Sequence, residues 1–165
     1  MALLPSDPVH PVPTPLAPQG AMEVDWPLFG ELCRVLALRV YREYDPDIIV
    51  GIAKAGVIPA AIIASMLKRD FASMSVTRRT PDALPALVTP PPALLRGRRV
   101  LLVDETCDSG HTLRLALHEV RARQPAEVRT AVSFRTGPWV PDYHAMETDQ
   151  AILLPWDQDV IEGEG

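Results

Sequence analysis

The stretch Val100-Leu101-Leu102-Val103-Asp104-Glu105-Thr106-Cys107-Asp108-Ser109-Gly110-His111-Thr112-Leu113 decides the fold. Four apolar residues follow the basic pair Arg98-Arg99 and read as a buried strand over Arg99–Val103. Two adjacent carboxylates, Asp104 and Glu105, leave its end. Like charges so close repel, and both lose hydration beside a core, so a cation, a metal or sugar hydroxyls must compensate them. A short run of small polar residues, Asp108 to Thr112, then opens into a helix. Gly110 tolerates positive φ, Ser109 and Thr112 offer hydroxyls, and the free amides of a helix N-terminus attract an anion. One segment thus offers acceptors for ribose hydroxyls beside a cradle for a phosphate. A capped helix alone accounts for Ser109 and Gly110, with Asp108 or Ser109 as cap, but leaves the paired carboxylates unexplained.

Outward from this stretch, helical and strand patterns alternate. Asp25 caps a helix with Pro27 in its first turn and Leu28, Phe29, Leu32, Val35, Leu36 and Val40 at helical spacing. Tyr44-Asp45-Pro46 ends it. Residues 47–52 read as a buried strand, 53–57 as a short loop and 58–68 as a second helix. A strand is expected over 71–77, and a proline-rich loop over 80–96. A helix over 112–123 and strands over 128–134 and 151–154 complete the pattern. Strands alternating with helices imply an α/β fold, a parallel sheet with helices on both faces. Ligands in such sheets bind beyond the carboxyl ends of the strands, which directs attention to the loops after Ile52 and Val103.

Bulk composition bounds the rest. The chain has 165 residues, enough for one domain, and 47% of them are hydrophobic. No apolar run approaches the roughly 18 residues that span a bilayer, and no basic region with an apolar stretch marks a signal peptide. Two cysteines, Cys33 and Cys107, make neither a disulfide framework nor a metal site, so a reducing, cytoplasmic setting is expected. The net charge of −5 argues against nucleic acid as a partner. Residues 1–20 carry six prolines and read as a flexible arm preceding a domain over 21–165. No P-loop or dinucleotide glycine motif is present. An aspartyl-phosphate enzyme would want a second acid where Thr106 stands.

The run closely resembles the ribose-phosphate signature of type I phosphoribosyltransferases: four apolar residues, two acidic, two variable, then Asp-Thr-Gly-x-Thr. Glu105 replaces the usual second Asp, and Ser109 the usual Thr. Gly51-Ile52-Ala53-Lys54-Ala55-Gly56-Val57-Ile58-Pro59 is similar to the family's pyrophosphate loop, with Lys54 where Arg is usual and Ala55 where Gly is usual. Lysine keeps the charge but lacks the bidentate fork. Ala151-Ile152-Leu153-Leu154-Pro155-Trp156-Asp157 looks like the closing strand of the xanthine–guanine and hypoxanthine branch, with Ala151 in place of an aromatic that stacks on the purine.

The resemblance implies a parallel sheet flanked by helices, with a small C-terminal hood. It implies transfer of a phosphoribosyl group from phosphoribosyl pyrophosphate to a purine, expected to be a 6-oxopurine, with Mg2+. Asp104 and Glu105 would hold the ribose hydroxyls, directly or through the metal, and Asp157 would help hold that metal near pyrophosphate. Cys107, Asp108, Ser109, Gly110, His111 and Thr112 would wrap the 5′-phosphate, Asp108 also moving a proton on the base. Ala53, Lys54, Ala55 and Gly56 would hold pyrophosphate, and Arg135 and the Ile152 backbone would read the base. Trp156 reads as packing. Arg78 and Arg79 are either pyrophosphate contacts or a solvated basic turn, and the 80–96 loop either a lid or an idle surface loop. A homo-oligomer is the family habit. The departures at Lys54, Ala55 and Ala151 also feed two alternatives: a non-catalytic sensor of phosphoribosyl pyrophosphate or nucleotide, or a transferase for another base.

Overall fold

A computed structural model describes residues 20–80 and 82–157, so the proline-rich arm lies, Gly20 apart, outside the described residues. The order is β1 (Met22–Glu23), α1 (Trp26–Glu43), β2 (Ile48–Ala53), α2 (Val57–Leu67), β3 (Asp70–Thr77), β4 (Ala86–Thr89), β5 (Arg99–Cys107), α3 (His111–Arg121), β6 (Glu127–Arg135), β7 (Tyr143–Glu147) and β8 (Ile152–Leu153). Single 3-10 turns lie at Ala93–Leu95 and Pro155–Asp157.

Helix α1 starts where expected. The Asp25 carboxylate accepts from the Leu28 N–H at 2.9 Å, satisfying one of the helix's free amides. Its buried residues, Phe29, Leu32, Cys33, Leu36, Ala37 and Val40, form one stripe of helical period. Helix α2 is apolar nearly all round, because it lies between α1 and the sheet and buries Pro59, Ala60, Ile63 and Ala64.

Six strands form the main sheet in the order β4-β3-β2-β5-β6-β7. All neighbours are parallel except β4, which runs antiparallel on the edge of β3. β2 and the first half of β5 are buried on both faces and are accordingly continuous runs of Ile, Val and Leu. One face buries Ile48, Val50 and Leu102 against α3; the other buries Ile49, Leu101 and Val103 against α1 and α2. The β2-α2-β3 and β5-α3-β6 units step outward in opposite directions, so right-handed crossovers place α2 and α3 on opposite faces. The order reverses between β2 and β5.

β1 and β8 pair in parallel as a separate two-stranded sheet, the hood, over a cluster of Val24, Phe29, Cys33, Phe134 and Leu154. At the opposite end of the main sheet the Tyr44 hydroxyl donates to the Val100 carbonyl at 2.9 Å. The guanidinium groups of Arg99 and Arg129 lie over the Tyr44 ring at 4.9 and 4.5 Å, and Arg99 also donates to the Tyr44 carbonyl.

Two expectations are corrected, and one strand was not foreseen. The segment 80–96 is not one loop: it contains β4 and a 3-10 turn. β5 does not end at Val103 but continues to Cys107, because Asp104, Thr106 and Cys107 stay in register with Val132, Phe134 and Arg135. β7 is an additional strand, paired with β6 from Ala131↔Tyr143 to Arg135↔Glu147. Among the described residues no helix is long and apolar enough to cross a membrane.

Candidate functional site

β2 pairs with β5 only as far as Gly51↔Val103, whereas β5 stays with β6 to Cys107. The two central strands therefore part at their carboxyl ends, at the point where the strand order reverses. A cleft of about 530 Å³ opens there. Ala53, Lys54 and Ala55 form one wall, and the run Asp104–Gly110 with Thr112 forms the opposite one. Arg78 from the end of β3, and Trp156 and Asp157 from the hood, close the sides.

Asp104 is 8% exposed. Its Oδ1 accepts from the Glu105 N–H at 2.9 Å. Burial pushes its carboxyl well above the usual carboxylate range, and the neighbouring Glu105 carboxylate pushes the same way. The Glu105 amide and the positive charge of Arg78 oppose the shift. The floor of the cleft thus holds a desolvated Asp104 beside a half-buried Glu105, a pair that a cation or donor hydroxyls would relieve.

Beyond it the chain turns sharply at Gly110, whose φ of +81° lies in the region that favours glycine. Gly110 is the N-cap of α3 and supplies no side-chain cap. Of the two side chains expected to cap, Ser109 Oγ reaches only to 3.5 Å from the His111 N–H. The first amides of α3 and its positive dipole end are therefore directed at the cleft for an anion. Burial, aided by Asp104 and Asp108, pushes the Cys107 thiol up to about 11, so that position adds no charge at neutral pH.

On the other wall, the Ala53–Lys54 peptide bond is cis and Lys54 is exposed. Gly56 lies behind that loop against Asp104: a Cβ there would lie 2.8 Å from Asp104 Oδ1 and 2.5 Å from the Ile52 carbonyl oxygen. The Asp157 carboxylate accepts from the Leu154 N–H at 2.9 Å, which sets the turn after β8. Trp156 packs edge-on to Phe29 at 5.0 Å between centroids and also lines the cleft.

A smaller recess of about 350 Å³ adjoins, lined by Thr106, Asp108, Thr136, Asp149, Gln150, Ala151 and Ile152. Thr106 and Asp108 belong to both cavities. Most of the residues singled out from the sequence thus line one connected space. Gly56, Arg79 and Arg135 line neither cavity, and His111 is an exposed first residue of α3 outside both. The Arg135 guanidinium instead donates to the Trp139 and Pro138 carbonyls at 3.1 and 3.3 Å and pairs with Glu147 at 3.0 Å. Thr106, Thr136, Asp149 and Gln150 were not foreseen from sequence. Thr106 alone carried a signal, its place between the acid pair and the phosphate-type loop.

Residues 24–160 match the family model described as the phosphoribosyl transferase domain. The chain is 32% identical over 143 residues to a xanthine-guanine phosphoribosyltransferase of Gluconobacter oxydans, covering 81% of this chain and 83% of that protein. It is 30% identical over 152 residues to the one from Cereibacter sphaeroides, covering 84% and 88%. A crystal structure of a purine phosphoribosyltransferase from Pyrococcus horikoshii superposes with a TM-score of 0.77 at 27% identity, over 87% of this chain and 98% of that one. The chain belongs to the phosphoribosyl transferase domain family.

Proposed function

We propose that the protein transfers the 5-phosphoribosyl group of phosphoribosyl pyrophosphate to a 6-oxopurine base and releases pyrophosphate. The observation that carries this reading is the cleft itself. The buried Asp104 and the half-buried Glu105 share it with the amide end of α3 and with Lys54. The similarity to xanthine-guanine phosphoribosyltransferases supports the choice of base class.

The 5′-phosphate would sit on the loop from Cys107 to Thr112, where backbone amides and the helix dipole meet its charge. Asp104 and Glu105 would hold the ribose hydroxyls. Lys54 and Arg78 would face the pyrophosphate, with Ala53, Ala55 and Gly56 shaping that wall. The base would enter the recess beside Ile152, within reach of Asp108, which would move a proton on the base's ring nitrogen. Holding donor and acceptor in line, and placing fixed charges around a sugar that becomes positive as pyrophosphate departs, carries the acceleration.

Magnesium fits this donor set as a substrate-bridged ion. Among the described residues no three His, Cys, Asp or Glu side chains converge as a metal cage. Two adjacent carboxylates with substrate oxygens suit an ion that keeps several waters. Asp104 and Glu105 would hold it, with Asp157 near the pyrophosphate side, and when bound it would neutralise leaving-group charge. Free buried Cys33 and Cys107 suit a cytoplasmic setting, and a homo-oligomer is the assembly proposed.

The test is a mass-spectrometric assay with phosphoribosyl pyrophosphate, Mg2+ and a panel of guanine, xanthine, hypoxanthine, adenine, uracil and orotate. A nucleotide from a 6-oxopurine is expected. No nucleotide from any base, in protein that still binds the sugar pyrophosphate, would overturn transfer and leave a sensor.

A further inference from the structure

The loop that would hold the 5′-phosphate is braced from behind by the segment 135–139, and every contact of that brace is specific. The Thr136 N–H donates to the Cys107 carbonyl at 2.9 Å, and the Trp139 N–H to the Asp108 carbonyl at 3.4 Å. Gly137 packs so closely on Asp108 that a Cβ would lie 2.6 Å from its carbonyl oxygen and overlap its carboxylate. The Trp139 indole lies under Gly110: a Cβ there would come within 2.7 Å of Cδ1 and Cδ2. Trp139 also packs on the cluster that contains Cys107 and Leu113. The brace is in turn pinned by one side chain. Arg135 donates to the Trp139 carbonyl from Nε and to the Pro138 carbonyl from Nη2, while Nη1 meets Glu147 of β7. Its side chain is 18% exposed.

We infer that Arg135 and Trp139 are positioning residues that fix the phosphate loop and Asp108, and that Arg135 does not read the base. A planar guanidinium with three donors committed to one turn and one strand holds a shape, which a point charge on a flexible stem does not. A loop that must present amides to a phosphate gains affinity by being held in that shape before the ligand arrives. Trp139 supplies the floor on which the positive-φ turn at Gly110 rests. Glu147 acts at the far end by orienting the guanidinium.

This inference rests on the phosphoribosyl reading of the same cleft, and the experiment separates the two. Dissociation constants for ribose 5-phosphate, Michaelis constants for the sugar pyrophosphate and for each base, and melting temperatures are measured on the full chain. The variants are Arg135→Ala, Arg135→Lys, Glu147→Gln, Trp139→Ala and Trp139→Phe. Arg135→Ala and Trp139→Ala should weaken ribose 5-phosphate by about tenfold or more, as expected when a binding geometry loosens. The ratio of rates among the bases should stay at the wild-type value. Glu147→Gln, a partial loosening that keeps the fold, should move phosphate affinity in the same direction. Trp139→Phe, which keeps a ring under Gly110, should restore it, and Arg135→Lys should not. A changed base ratio in Arg135→Ala with unchanged ribose 5-phosphate affinity would overturn the inference and make Arg135 a base contact. Wild-type affinity in Glu147→Gln and Trp139→Ala would overturn it too. Wild-type protein that binds no ribose 5-phosphate at all would overturn the phosphoribosyl reading itself, and this inference with it.

Discussion

Replacing Gly56 by alanine tests how the two walls of the cleft are held together. Gly56 has φ −64° and ψ −18°, an ordinary helical conformation, so alanine meets no backbone penalty and only space is at issue. A Cβ would lie 2.5 Å from the Ile52 carbonyl oxygen, 2.8 Å from Asp104 Oδ1 and 2.9 Å from Asp104 Cα. Carbon–oxygen contacts of this kind settle at about 3.3–3.6 Å, so the end of β2 and the acid pair on β5 must separate by roughly 0.5–1 Å. Overpacking of that size costs about 1–3 kcal/mol. In a chain of this length that is a fall in melting temperature of about 2–12 °C. The same displacement moves Lys54 away from Asp104, and misplacement by about 1 Å lowers turnover by up to about 100-fold. Gly30, in α1 with nothing within 4 Å of a built Cβ, is the control of opposite sign. Gly30→Ala should gain about 0.5–1 kcal/mol with activity unchanged. Thermal melting by circular dichroism and steady-state kinetics measure both. Gly56→Ala protein that melts and turns over like wild type would refute the close-packed junction.

Lys54→Ala should weaken phosphoribosyl pyrophosphate far more than the nucleoside monophosphate, measured by titration calorimetry. Equal losses would contradict its place facing pyrophosphate. Burial pushes Cys33 up to about 12 and Cys107 up to about 11, so both stay as thiols at pH 8. Native protein should label slowly with a thiol reagent, unfolded protein fast; rapid native labelling of Cys107 would contradict its burial. A raised folded pKa favours folding below the ordinary thiol value of 9.0 and is lost as pH climbs through the folded values, so melting temperature should fall across that alkaline window. Tyr44→Phe removes the hydroxyl donated to the Val100 and Glu127 carbonyls and should lower stability by about 1–3 kcal/mol in urea melts, with kinetics untouched. Altered kinetics there would show that the far end of the sheet is coupled to the cleft.

The parts of the fold legible in sequence were those with a local cause. Asp25 and Pro27 mark the start of α1, and continuous Ile, Val and Leu mark β2 and β5 as strands buried on both faces. The candidate site was legible because Asp104 and Glu105 stand together at a strand end, just before a loop that opens a helix, which a capped helix alone does not require. What escaped notice has a tertiary cause. Asp104–Cys107 looks like loop by composition and is strand because β6 continues beside it. Tyr143–Glu147 is short and mixed in polarity, as an edge strand can be, and pairs only because β6 offers its free edge. β4 is four residues between prolines, antiparallel on the other edge, where missing donors are tolerated. The grip of Arg135 on Trp139 and Glu147 depends on how the turn after β6 folds back, and no periodicity announces it.

The most direct measurement is titration of the double variant Asp104→Asn, Glu105→Gln with phosphoribosyl pyrophosphate and Mg2+, beside its thermal melt. Replacing the buried Asp104 and half-buried Glu105 carboxyls by amides of the same shape removes a desolvation and like-charge cost and should leave the melting temperature at or above that of the wild type. Binding of the sugar pyrophosphate should be lost. A folded double variant that binds with wild-type affinity would show that the acid pair is no part of a phosphoribosyl site.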